Sequence, residues 1–132
     1  MALKSSMKIL LADSNHNSRQ VVKKMLSDVG FKNVFEAPDN VKAWEKILEH
    51  KDEKSIQLII ADWDLPGEGG GLELLKKVRG DAKIKETKFL MITGEAAQQS
   101  VVIAVKAGVN NVVVRPFSVN VLMEKIGQVF GQ

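Results

Sequence analysis

Short apolar runs that end in polar residues alternate along this chain with longer segments whose apolar residues recur every three or four positions. The short runs are typical of strands buried on both faces of a parallel sheet, whereas the longer spacing indicates amphipathic helices. The predicted strands are 7–12, 33–37, 58–62, 88–93 and 111–114.

The helical segments predicted from this spacing are 18–29, 41–48, 72–78, 101–107 and 119–129. Gly30 and Gly108 follow two of them, where a glycine commonly ends a helix. Asp39 or Asn40 would cap the second helix, and Ser118 would cap the last. Strand and helix therefore alternate five times, which requires parallel strands with helices on both faces of one sheet. We predict a doubly wound α/β fold.

Polar residues with complementary chemistry stand at the carboxyl ends of four predicted strands. They are Asp13, Asp62, Thr93 and Arg115. Parallel strands bring these ends to one edge of the sheet, where ligands bind in open α/β folds. Carboxylates hold Mg²⁺, while a hydroxyl and a guanidinium donate hydrogen bonds to phosphate oxygens. An isolated aspartate could be a helix or turn cap, but the four residues together predict a site for a divalent cation and a phosphoryl group.

The 132-residue chain is long enough for one domain with a hydrophobic core, which we expect to span 1–132 with its core at about 7–130. The absence of cysteine excludes disulfides and thiolate metal sites. No apolar run approaches the roughly 20 residues of a membrane span, and the first residues lack a signal peptide's apolar region. We therefore expect a cytoplasmic protein that does not contact the membrane. The net charge of +3 is not clustered, which argues against direct nucleic-acid binding.

Four motifs connect this pattern to a known family. They are Ile60-Ala61-Asp62-Trp63-Asp64-Leu65-Pro66, Leu72-Glu73-Leu74-Leu75, Ile92-Thr93-Gly94-Glu95-Ala96 and Val114-Arg115-Pro116-Phe117. With these motifs in this order, nearly the whole chain resembles the receiver domains of two-component response regulators, most of all the single-domain chemotaxis regulators. The resemblance implies a flavodoxin-like sheet of five strands in the order 2-1-3-4-5.

The chemistry that this resemblance implies is transfer of a phosphoryl group from a phosphohistidine to an aspartate, which Asp62 matches. Thr93 matches the hydroxyl that hydrogen-bonds the phosphoryl group, and Arg115 stands where the family usually has a lysine that reaches it. The chain would be a signalling phosphoacceptor that assists its own phosphorylation and dephosphorylation, and not an enzyme acting on other molecules. Its partners would be a histidine kinase or phosphotransfer protein and a downstream protein target.

The resemblance also implies a Mg²⁺ site beside the acceptor. Asp13 and Asp62 would supply carboxylates and Asp64 its backbone carbonyl, while Ser14 aligns with a position that is usually a second acid. A hydroxyl is a poorer Mg²⁺ ligand than a carboxylate, so Ser14 is a doubtful ligand and weak binding is expected. The side chains of Asp64 and Glu95 match positions that tune how fast water removes the phosphoryl group.

Three further features depart from the family pattern. Arg115 places a planar guanidinium where the family usually has the compact ammonium of a lysine, and the two groups make different contacts. Val112 stands where the family usually has an aromatic residue that swings as the switch. The glycine-rich loop at 67–71 is about one residue longer than usual and lacks the usual acid, which predicts a mobile loop beside the site.

Two alternatives remain open at this point. Ser14, Arg115 and Val112 would also suit a pseudo-receiver, a protein-binding module that acts independently of phosphorylation. The glycine run suggests a nucleotide- or flavin-binding enzyme on a similar sheet. However, residues 67–72 lack a complete dinucleotide fingerprint, and the chain has no phosphate-binding Gly-Lys-Ser/Thr loop.

Overall fold

The computed structural model describes residues 5–51, 55–94 and 98–131. Strands and helices alternate along the chain as β1 Lys8–Ala12, α1 His16–Asp28, β2 Asn33–Ala37, α2 Asn40–Glu49, β3 Leu58–Asp62, α3 Gly70–Arg79, β4 Lys88–Thr93, α4 Gln98–Lys106, β5 Asn111–Val114 and α5 Val119–Val129. The strands form one parallel sheet in the order β2-β1-β3-β4-β5. The predicted doubly wound fold and its strand order are therefore confirmed. Within these ranges, none of the helices is long and apolar enough to cross a membrane.

Alternate residues of the central strands point to opposite faces of the sheet and build two cores. One core lies beneath α2 and α3 and includes Leu10, Ile47, Ile59, Leu74 and Phe89. The other lies beneath α1 and α5 and includes Leu11, Leu26, Ile60, Leu90 and Ile126. Burial of each large apolar side chain stabilises the fold by about 1.5–3 kcal/mol. The two cores therefore fix the register of the strands and the positions of the strand ends.

Polar side chains begin three of the helices. Asn15 caps α1, Asp39 caps α2 and Ser118 caps α5, each by accepting a hydrogen bond from the backbone N–H three residues further on. The predicted cap at Ser118 is confirmed, and of the two candidates for α2 the cap is Asp39. Helix α1 begins at His16 instead of residue 18, because the cap at Asn15 starts the helix before its first apolar residue.

Arg79 connects the end of α3 to the segments that precede β4 and β5. Its guanidinium donates hydrogen bonds to Gly108 O at 2.9 Å, Lys85 O at 2.9 Å, Thr87 O at 2.6 Å and Asn110 Oδ1 at 2.9 Å. Burial lowers the pKa of Arg79 from its ordinary value. Three of these four acceptors are backbone carbonyls. Arg79 therefore holds the segments before β4 and β5 against the C-terminal end of α3.

Candidate functional site

The carboxyl ends of four strands lie together at one edge of the sheet. Asp13 directly follows β1, Asp62 and Thr93 are the last residues of β3 and β4, and Arg115 directly follows β5. Asp13, Asp62 and Thr93 retain only 1%, 8% and 6% of their surface exposed. The structure thus brings the four predicted site residues to one place, although they are distant along the chain.

The guanidinium of Arg115 joins the two aspartates. Its Nη1 donates to Asp62 Oδ2 at 2.9 Å, and its Nη2 donates to Asp13 Oδ2 at 3.0 Å. Two carboxylates that contact the same cation would otherwise repel each other, and the positive charge of the guanidinium offsets that repulsion. The planar fork of arginine allows one side chain to serve both carboxylates, which a compact ammonium does less well.

The second oxygen of each aspartate is held by the backbone of its own loop. Asp13 Oδ1 accepts a hydrogen bond from Asn15 N at 2.9 Å, and Asp62 Oδ1 accepts one from Asp64 N at 2.8 Å. Such contacts with a backbone N–H two residues further on are typical of aspartates that follow strands. Both carboxylates therefore have a fixed orientation within the pocket.

Arg19 supports the first loop from α1. Its Nη1 donates to Asp13 O at 2.7 Å, and its Nε pairs with Glu36 Oε1 at 2.9 Å. Lys23 Nζ contacts Glu36 Oε2 at 2.9 Å, and the hydrogen bond from Lys23, followed by that from Arg19, lowers the pKa of Glu36 despite its partial burial. Sequence reasoning missed Arg19, since no motif marks an arginine that binds a backbone carbonyl.

A small cavity lies beside Thr93 at the end of β4. It measures about 10 Å³ and is lined by Trp63, Met91, Thr93, Ser100, Val101, Ala104 and Val112. That volume suffices for about one water molecule and is far too small for an aromatic ring. Val112, which pairs with Met91 in the sheet, therefore leaves no large void at the position where an aromatic switch was expected.

The remaining predicted metal and tuning residues are exposed or lie outside the described ranges. Ser14 and Asp64 are exposed. Glu95 lies outside the described residues. Within the part of the chain that the structure describes, no group of three or more His, Cys, Asp or Glu side chains could hold a metal ion. The two carboxylates of Asp13 and Asp62 suit the oxygen chemistry of Mg²⁺, but they form a smaller donor set than three acids would.

The glycine-rich loop after β3 is held by contacts that the sequence prediction of a mobile loop did not include. Asn40, the first residue of α2, is buried and donates from Nδ2 to Glu68 O at 2.9 Å. Its backbone N–H also donates to Pro66 O at 2.9 Å. Sequence reasoning considered Asn40 only as a helix cap and missed this role, because nothing in the sequence shows that a side chain bonds a loop 28 residues away.

Comparison with known proteins identifies the same architecture. Residues 9–127 match the response regulator receiver domain family. The chain is 44% identical over 125 residues to chemotaxis protein CheY1 of Helicobacter pylori, covering 95% of this chain and 98% of that protein. It is 39% identical over 125 residues to the CheY homolog of Campylobacter jejuni, covering 95% of this chain and 93% of that protein. The structure of CheY4 of Vibrio cholerae is similar, with a TM-score of 0.83 at 28% identity over 94% of this chain and 98% of that one.

These matches agree with the five-stranded fold and its strand order. They confirm the resemblance drawn from the sequence, and they give no support to the pseudo-receiver or to the nucleotide-binding enzyme. The chain belongs to the response regulator receiver domain family.

Proposed function

We propose that Asp62 accepts a phosphoryl group from a phosphohistidine on a histidine kinase or phosphotransfer protein, and that the modified chain signals to a downstream protein. The observation that carries this proposal is the position of a nearly buried carboxylate at the end of β3, with a guanidinium and a second carboxylate in direct contact. We also propose that the whole chain, 1–132 with its core at about 7–130, forms one receiver domain.

In the transfer step, an Asp62 oxygen forms a bond to phosphorus while the bond from phosphorus to the histidine nitrogen breaks. The electron pair of the broken bond stays with the imidazole, which takes up a proton from solvent. The N–H of Asp64 holds the carboxylate in place, and Arg115 supplies positive charge to the incoming phosphoryl oxygens. The hydroxyl of Thr93, at the end of the neighbouring strand, donates a hydrogen bond to the phosphoryl group.

A Mg²⁺ ion would be held by the carboxylates of Asp13 and Asp62 and the backbone carbonyl of Asp64, with Ser14 at most a weak ligand. When bound, the ion neutralises negative charge on the acceptor and on the phosphoryl oxygens. Because Arg115 already contacts both carboxylates, the guanidinium and the cation compete for the same oxygens. This competition and the neutral side chain of Ser14 both favour weak metal binding.

Phosphorylation of Asp62 would change the surface that this protein presents to its downstream target. A phosphoryl group adds roughly −1.5 to −2 charges at the pocket, which draws Arg115 and Thr93 toward it. Arg115 follows β5 directly, so its movement reaches the face formed by α4, β5 and α5, where Val105, Val114 and Val121 are exposed. We propose that the downstream target binds this face. The side chains of Asp64 and Glu95 would tune the rate at which water removes the phosphoryl group, so the chain assists its own dephosphorylation.

Acetyl phosphate in the presence of Mg²⁺ tests the proposal directly. Intact-mass spectra should show slow addition of one phosphoryl group to the wild type and none to Asp62→Ala. Beryllofluoride, which mimics a phosphoryl group on a carboxylate, should bind to the wild type with the same dependence on Asp62. Absence of both modification and beryllofluoride binding at ample Mg²⁺ would refute the proposal.

A further inference from the structure

The loop after β3 packs directly onto the backbone that carries the proposed acceptor. Gly71 N donates to Trp63 O at 3.2 Å. A Cβ atom on Gly71 would lie 2.3 Å from Asp62 O, and one on Gly70 would lie 2.8 Å from Trp63 O. Only glycine allows so close an approach, so residues 70 and 71 fix the positions of the two peptides that follow Asp62 and Trp63.

The opposite side of the same loop rests on Asn40. Asn40 is 7% exposed, and its side chain donates from Nδ2 to Glu68 O at 2.9 Å and to Gly70 O at 3.3 Å. A Cβ atom on Gly67 would lie only 1.8 Å from Asn40 Oδ1, so the glycine is required by the amide that faces it. The loop is thus enclosed between Asn40 and the backbone of the acceptor strand.

Helix α2 does not require the Asn40 side chain as its cap. Asp39 is the cap and accepts a hydrogen bond from Lys42 N at 2.7 Å. The amide of Asn40 is directed instead at the loop, where its NH₂ group supplies two donors to two carbonyls. An aspartate has the same shape but no donor, and would face both carbonyls with its negative charge.

We propose that Asn40 is a positioning residue for phosphorylation of Asp62. Asn40 holds residues 66–70, and the adjoining Gly71 donates to Trp63 O and so holds the peptide between Trp63 and Asp64. The N–H of that same peptide, which belongs to Asp64, orients the Asp62 carboxylate. Small displacements of a reacting group from its productive geometry can slow a reaction by large factors. The inference rests on the proposed function of Asp62 as phosphoacceptor.

Single-turnover labelling with acetyl phosphate at saturating Mg²⁺ tests this role in Asn40→Asp and Asn40→Ala. Both variants should lower the maximal rate of labelling by about tenfold, with a smaller change in the acetyl phosphate concentration that gives half the maximal rate, because Asn40 does not touch the donor. The matched control is Asp39→Ala, which removes the cap of the same helix without touching the loop. It should destabilise the fold but label at the wild-type rate.

Equal maximal rates for the Asn40 variants and the wild type would overturn the inference, as would an equal loss in Asp39→Ala at matched stability. If the wild type itself is not labelled, the proposed function fails, and amide hydrogen exchange then decides the role of Asn40 separately. Faster exchange of the Gly70 and Gly71 amides in Asn40→Asp, but not in Asp39→Ala, would support the anchoring of the loop. Unchanged exchange would reject it.

Discussion

Arg115 Nη1 lies 2.9 Å from Asp62 Oδ2, so the cation that follows the last strand is paired with the proposed phosphoacceptor. The same guanidinium reaches Asp13, and the two carboxylates share a single positive charge. Arg115 would therefore have two opposing roles: it offsets the repulsion between the two carboxylates, and it occupies the oxygens that the proposed divalent cation would use. The first two predictions separate these roles.

Replacement of Arg115 by lysine should strengthen Mg²⁺ binding. A single ammonium does not reproduce the two-pronged contact with Asp13 and Asp62, so the competing ion pairs weaken by on the order of 1 kcal/mol, which corresponds to about fivefold in affinity. Trp63 fluorescence reports the titration in a Trp44→Phe background, since the chain has two tryptophans. Unchanged or weaker Mg²⁺ binding in Arg115→Lys would contradict the competition.

Replacement of Ser14 by aspartate should raise Mg²⁺ affinity by roughly tenfold, because it adds a charged oxygen ligand beside Asp13. Without Mg²⁺ the same change should lower the free energy of unfolding by roughly 0.5–1 kcal/mol, since one guanidinium must then serve three acids. Ser14→Asn is the neutral control of similar size. Fluorescence titration measures the change in Mg²⁺ affinity, and urea unfolding with and without Mg²⁺ measures the change in the free energy of unfolding. A gain of stability in the absence of metal would contradict the expectation.

Glu36 should make stability depend on acid pH. Its pKa is lowered, first by the hydrogen bond from Lys23 and then by that from Arg19, against the opposing effect of burial. Because the folded pKa lies below the unfolded one, this stabilisation is complete above the unfolded value and is lost as the pH falls through the folded value. Glu36→Gln should therefore cost about 1 kcal/mol near pH 7 and progressively less below about pH 4. Urea unfolding of the wild type and Glu36→Gln across this pH range measures the difference in their free energies of unfolding. A difference that does not change with pH would contradict the expectation.

Removal of the Arg79 guanidinium should destabilise the whole fold. Arg79→Met keeps an apolar stem but leaves the carbonyls of Lys85, Thr87 and Gly108 without their donor, which should cost about 2–4 kcal/mol. Lys76, exposed on the same helix, provides the control, and Lys76→Met should change stability by less than about 0.5 kcal/mol. Similar urea midpoints for the two variants would show that Arg79 is not a major stabilising contact.

The positions of the strands and of the pocket could be predicted from the sequence because both depend on burial. The runs that end in Asp62 and Thr93 are buried on both faces, so their apolar pattern marks where each strand stops. The parallel topology then requires the strand ends to meet. Helix starts were less certain, as α1 shows, because a polar cap such as Asn15 starts a helix before any apolar residue marks it.

Hydrogen bonds between distant side chains and backbone could not be predicted in this way. Arg115 was expected at the edge of the sheet, but that it contacts both aspartates depends on the length and direction of its side chain. Asn40 and Arg19 each bind carbonyls of another segment, and any residue type can supply a carbonyl. Such contacts leave no periodic pattern in the sequence and become visible only in three dimensions.

The contact between Arg115 and Asp13 also joins the ends of two strands that are not neighbours in the sheet. Strand β5 lies at the edge of the sheet and pairs with β4, whereas Asp13 follows β1 on the far side of β3. A ligand that draws the guanidinium away from Asp13 breaks the ion pair that joins the end of β5 to the end of β1. Thermodynamic reciprocity then requires that a partner whose affinity for β5 depends on this contact changes the affinity of the pocket in turn. Amide exchange along β5, with and without beryllofluoride, would measure this coupling.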